Sequence, residues 1–125
     1  TRGGCDVNPD LVAMAQLLAR NRDFRVGSAL ALPWEDDEFD TVLLPDILEH
    51  LAWEDVPQAL AEANRVAKYR IVITVPNGDG HSLEATSFKH RYLMTRERLT
   101  ALLTPSPNAR IDTVGDFYCV VARSW

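Results

Sequence analysis

Apolar positions recur along the chain in short blocks that alternate between two periods. Gly4-Cys5-Asp6-Val7 reads as the end of a short strand. Asn8-Pro9-Asp10 then opens a helix: Asn caps it, Pro takes the first helical position, and Asp suits the positive end. Leu11, Met14, Ala15 and Leu18 follow at helical spacing, and the helix closes near Asn21. Phe24 to Gly27 reads as a second short strand, and Ser28 to Pro33 as a loop. Asp40 to Leu44 gives a continuous run of the kind found in strands covered on both faces. Pro45-Asp46 breaks it, and a helical turn carries Ile47 to Leu51. The next helix spans about Glu54 to Lys68, with Val56, Ala59, Leu60, Ala63 and Ala67 on one face and Pro57 tolerated in its first turn. Arg70 to Val75 is the clearest strand, β-branched and apolar, and Pro76-Asn77-Gly78 ends it. A polar loop over 79–94 leads to Thr95, which caps a helix carrying Leu99, Leu102 and Leu103. Two strands, Arg110–Val114 and Phe117–Ala122, close the chain around a Gly115-Asp116 turn.

Strands and helices that alternate in this way predict an α/β sandwich with a mostly parallel sheet and a C-terminal antiparallel hairpin. The chain has 125 residues, 46% hydrophobic and 25% charged, which fits one globular domain over 1–125 and excludes a disordered or collagen-like chain. The net charge of −5 argues against a partner bound through nucleic-acid phosphates. No apolar run approaches the about 20 residues needed to span a bilayer, so no membrane partner is expected. The two cysteines, Cys5 and Cys119, are too few for a disulfide framework and suit the reducing cytoplasm. Three His and two Cys in no ligand-like spacing give no expectation of a metal site.

In sheets of this kind, ligands sit beyond the carboxyl ends of the strands. Asp6, Ser28, Pro45-Asp46 and Asn77-Gly78 all fall at such ends, along one rim. Asp6 stands out, because a strand-terminal carboxylate can accept hydrogen bonds from both hydroxyls of a ribose. Its other reading is support of the following helix dipole, a role in which Asn8 already serves.

The segments Gly4-Cys5-Asp6-Val7-Asn8-Pro9, Gly27 to Trp34, Phe39-Asp40-Thr41-Val42, Ile47-Leu48-Glu49-His50-Leu51, Ala61 to Val66 and Val75-Pro76-Asn77 resemble, in order and spacing, class I S-adenosylmethionine-dependent methyltransferases. The Pro-Asn strand ending and the Thr-headed helix resemble the small-molecule branch. The resemblance implies a Rossmann-like sandwich, S-adenosylmethionine as cofactor, and methyl transfer to a small-molecule acceptor. It implies that Asp6 holds the ribose, with Val7 beside the adenine. Ser28, Ala29 and Leu30 wrap the adenine edge, and Leu44, Pro45 and Asp46 line the methionine part and the substrate mouth. Ser28 stands where the family usually has Asp, and a neutral hydroxyl is the weaker acceptor.

The family's first strand and Gly-rich loop belong upstream of residue 3 and are absent. That strand is central in the family's sheet. The expectation is therefore either a partial domain or a gap closed by rearrangement or by a second copy of the chain, as a homodimer. No catalytic residue is assigned. His50 is expected to pack near the helix that follows, and His81 and His90 to lie in the loop over the acceptor. The alternative function is a non-catalytic, degenerate methyltransferase-like domain that binds a partner through its open sheet edge. A reductase-type dinucleotide fold also places an acidic residue at its second strand, but Leu-Pro-Trp followed by Phe-Asp and Leu-Glu-His is not its pattern.

Overall fold

The computed structural model describes residues 2–80, 90–106 and 108–123. Six strands and three helices follow in the order β1 (Gly3–Asp6), α1 (Pro9–Leu18), β2 (Asp23–Val26), β3 (Phe39–Pro45), α2 (Val56–Val66), β4 (Ala67–Pro76), α3 (Arg96–Leu102), β5 (Arg110–Val114) and β6 (Phe117–Arg123). Two single turns of 3₁₀ helix, Leu48–His50 and Trp53–Asp55, lead from β3 into α2.

The expected caps form. Asn8 accepts a hydrogen bond from the Asp10 N–H at the start of α1, and Thr95 accepts one from the Arg98 N–H at the start of α3. The hairpin turns on Gly115, whose φ of +57° is open to glycine at little cost, and Val114 pairs with Phe117 directly across it. The boundary between α2 and β4 differs from the sequence reading. Ala67, expected on the helix, already opens β4 and is buried there. Chain direction changes at that residue without an intervening loop.

The strands form two sheets. β1 and β2 pair in parallel. The larger sheet has the order β3-β4-β6-β5, with β3 parallel to β4 and β6 antiparallel to both its neighbours. Three of its four strands therefore share a direction, as expected for an α/β fold with a terminal hairpin. β3 is an edge strand of the larger sheet and no described strand joins the two sheets, so the expected gap is not closed by direct pairing of the two halves.

The core lies on one face of the larger sheet. Alternate residues of β4, namely Ile71, Ile73 and Val75, stand opposite Ala122, Val120 and Tyr118 of β6, and all six are buried. Ala59, Leu60 and Ala63 of α2 and Leu99 of α3 complete this cluster, joined by Leu44, Leu48 and Met94. Burying each such aliphatic side chain is worth about 1.5–3 kcal/mol.

The opposite face corrects the expectation of a doubly covered β3. Leu43, Val72 and Val121 align across β3, β4 and β6, and Leu43 remains 63% exposed. The apolar stripe of α1 is also uncovered: Leu11, Met14 and Leu18 are exposed, and Val12 alone in that helix is buried. The helical spacing forms the helix as expected, but no described element packs over the stripe.

The segment between the sheets ties them together. Trp34 Nε1 donates to Asp23 of β2 at 3.1 Å, and Arg25 of β2 donates to the Pro33 carbonyl. From the other side, Gln58 of α2 donates to the Leu30 carbonyl at 3.3 Å, and Glu62 accepts from the Leu32 N–H at 2.8 Å. The smaller sheet is thus held to the larger one through this loop rather than through a strand ladder.

Candidate functional site

Because β1 to β4 run in parallel pairs, their carboxyl ends define the rim where ligands of such sheets sit. Asp6 ends β1. Its Oδ1 accepts the Asn8 N–H at 2.8 Å, and Asn8 Oδ1 accepts the Asp10 N–H at 2.9 Å. These two successive turns carry the chain from strand to helix. Both readings of Asp6 thus meet in one side chain: Oδ1 supports the turn, while no described residue donates to Oδ2 of this exposed carboxylate. Val7 beside it is exposed.

Gly27 follows β2, and its N–H donates to the Asp6 carbonyl at 3.0 Å, which sets Ser28 next to the end of β1. Ser28 Oγ accepts the Leu30 N–H at 3.1 Å, and a bridge to Ala31 folds the segment back. Ala29 and Leu30 pack half-buried against the main core. Asp6, Val7 and Ser28 to Leu30 therefore gather at one end of the smaller sheet.

Leu44 and Pro45 end β3 of the larger sheet and Asp46 follows it, so they belong to a different sheet from Asp6. Leu44 is buried in the core, whereas Pro45 and Asp46 are exposed. Asp46 has a φ of +51°, uncommon for a residue with a side chain, and its Oδ1 accepts from Thr74 Oγ1 at 3.0 Å. The expected cofactor residues thus form two groups, one on each sheet.

A cavity of about 210 Å³ opens beyond the carboxyl end of β4. Glu49, Asn77, Gly78, His90, Tyr92 and Asp116 are among its lining residues. Gly78 is required there: a Cβ at this position would lie 2.8 Å from the Leu93 Cβ and 2.8 Å from the Met94 carbonyl oxygen. The Gly78 N–H donates to that carbonyl, at 2.9 Å. Below the cavity, Asp79 accepts from the Tyr118 hydroxyl and from the Arg96 N–H, and these donors hold its carboxyl below the ordinary range.

Glu49 is the residue that sequence reasoning passed over. It is 1% exposed, and neither carboxylate oxygen has a hydrogen-bond partner among the described residues. Burial pushes its carboxyl up, against the pull of its own backbone N–H and of His50, with a smaller push from the Asp46 charge. Burial likewise raises the Tyr92 hydroxyl to about 12, helped by the Glu49 charge. His50, expected to pack near the following helix, is exposed, and its ring meets that of His90 edge to face at 5.2 Å. His81 lies outside the described residues. One ligand-type atom from each of Glu49, His50 and His90 falls within 4.8 Å of the other two. Spacing along the sequence gives no sign of this group, because His90 comes from the far side of the α2–β4 crossover.

A family model described as a methyltransferase domain matches residues 3–70. No curated protein matches the chain by sequence. Among solved structures, a Pyrococcus horikoshii protein 20% identical in sequence superposes with a TM-score of 0.81, over 99% of this chain and 71% of that one. A SAM-dependent methyltransferase from Methanosarcina mazei, 15% identical, superposes with a TM-score of 0.77 over 98% and 81%. A magnesium protoporphyrin IX methyltransferase from Synechocystis with bound SAH, 15% identical, gives 0.66 over 97% and 62%. At these identities the likeness speaks for the fold, and it takes in both sheets.

Proposed function

The chain belongs to the methyltransferase domain family, with S-adenosylmethionine as its cofactor, and on that premise we propose that it serves methyl transfer to a small-molecule acceptor. The observation that carries the reading is Asp6: a carboxylate at the carboxyl end of β1, steadied through Oδ1 and with Oδ2 open to a ligand, beside the Ser28 turn. Such a group accepts both ribose hydroxyls, while Val7 and Ser28 to Leu30 take the adenine. Leu44, Pro45 and Asp46 face the methionine part from the larger sheet, Pro45 and Asp46 through side chains and the buried Leu44 through its backbone. Methyl transfer asks mainly for proximity and in-line orientation, so the protein's main task is to fix the sulfonium against the acceptor. The cavity of about 210 Å³ beyond β4 offers room for a small acceptor and supports this reading.

A cytoplasmic setting completes this reading. Cys5 and Cys119 are free thiols, and no described helix is long and apolar enough to cross a membrane. Titration of S-adenosylhomocysteine into the protein, followed by transfer of a labelled methyl group to candidate acceptors, tests the proposal.

The unpaired edges of β1 and β3 and the bare stripe of α1 favour a second reading, a non-catalytic domain that binds a partner along the open edge. A protein that binds a partner and fails to bind S-adenosylhomocysteine would support it.

A further inference from the structure

We propose that Glu49, His50 and His90 form a binding site for a divalent transition-metal ion. A buried carboxylate without a hydrogen bond is among the most expensive groups a core can hold, and chains keep one where a cation or ligand completes it. Glu49 is 1% exposed, neither of its oxygens has a hydrogen-bond partner among the described residues, and two imidazoles stand against it.

The fold builds this arrangement through the backbone. The Arg91 N–H donates to the Glu49 carbonyl at 3.0 Å, and the Tyr92 hydroxyl donates to the Leu48 carbonyl. These two tethers fasten the segment after His90 to the turn that carries Glu49 and His50. The three ligand atoms lie within 4.8 Å of one another. Ligands bound at about 2.1 Å in tetrahedral geometry stand about 3.4 Å apart, so the donor atoms must close by up to about 1.4 Å when the ion binds.

The donor set selects the ion. Two imidazoles and one carboxylate suit Zn²⁺, Fe²⁺, Co²⁺ or Mn²⁺ better than Ca²⁺ or Mg²⁺, which prefer oxygen alone. The nearby carboxylates of Asp46 and Asp116 add negative charge to the surroundings. Three protein ligands leave coordination positions for others, and Glu49 and His90 both line the cavity beyond β4. The ion there would take an oxygen-bearing acceptor as ligand. That role rests on the methyl-transfer reading, whereas the binding site itself does not.

The test uses the untagged protein stripped with chelator, titrated with Co²⁺ by visible absorption and with Zn²⁺ by calorimetry. One ion should bind per chain, with Co²⁺ bands characteristic of nitrogen and oxygen ligation. Glu49→Gln and His90→Ala should each weaken binding at least about tenfold, the scale on which even outer-shell changes act. Circular dichroism on both variants establishes that the fold is kept. Absence of saturable binding in the parent, or binding unchanged in both folded variants, would overturn the site. S-adenosylhomocysteine titrated into the same samples separates the two readings: cofactor binding without metal binding removes the metal site and leaves the methyltransferase assignment standing.

Discussion

Arg65 grips Glu62 at two points, Nε to Oε1 and Nη2 to Oε2, both at 2.8 Å. The same guanidinium donates to the carbonyls of Leu32 at 3.0 Å and Trp34 at 2.8 Å, and to Asp36 Oδ1 at 2.9 Å. One side chain of α2 therefore holds the segment that joins the two sheets at Leu32, Trp34 and Asp36. Planar forked donors suit this task, and Lys cannot reproduce them. Arg65→Ala should destabilise the protein by about 1–3 kcal/mol, and Arg65→Lys should restore less than half of that. Urea unfolding curves measure both. A loss under about 0.3 kcal/mol, the scale of an ordinary surface change, would mean that the loop is held by other contacts.

Gly78 should not tolerate a methyl group. The added Cβ would press on the backbone of Met94, which cannot swing away as a side-chain tip can. Gly78→Ala should cost about 1–3 kcal/mol and loosen the cavity wall. Thermal melts give the stability change, and an unchanged melting temperature would show that the 92–94 segment yields freely.

Asp79 sets a pH dependence. Its carboxyl is held below the ordinary range, first by the Tyr118 hydroxyl and then by the Arg96 N–H. A carboxyl depressed on folding contributes stability above its unfolded value, near 3.8, and loses it as pH falls through the folded value. Asp79→Asn should therefore lower stability at pH 7, and by less at about pH 3, below the unfolded value. Urea midpoints at the two pH values test this, and a constant difference would assign the effect to packing instead.

The unpaired edges and the bare apolar row should make the chain self-associate. Leu43, exposed on β3, and Leu18, 81% exposed on α1, are the groups to change. Sedimentation velocity should find a species larger than the monomer, and Leu18→Lys with Leu43→Lys should shift it toward the monomer. A stable monomer at all concentrations would contradict the expectation that a second copy of the chain covers these groups.

Local chemistry made much of the fold readable. Asn8 and Thr95 cap helices because their side chains reach backbone N–H groups two and three residues on, a relation contained in a short stretch of sequence. The alternation of Ile71, Ile73 and Val75 names its own buried face. What covers a face is a different matter. The apolar spacing of Leu11, Met14 and Leu18 predicts a helix and is silent on whether anything packs against it. Glu49 and His90 meet only because β3, α2 and β4 bring distant segments to one rim. The Arg65 clamp is equally long-range, joining α2 to carbonyls about thirty residues earlier.

The central claim is that Asp6 anchors the cofactor, and calorimetric titration with S-adenosylhomocysteine tests it most directly. The parent should bind. Asp6→Ala should lose about 2–3 kcal/mol, or roughly 30- to 150-fold in Kd, because a charge-assisted contact to the ribose is removed. Ser28→Ala should lose less, about 0.5–1.5 kcal/mol, for one neutral hydrogen bond. Ser28→Asp should bind more tightly than the parent, since a carboxylate is the better acceptor for the adenine amino group. Equal binding by Asp6→Ala and the parent, or a folded parent that does not bind at all, would contradict the account.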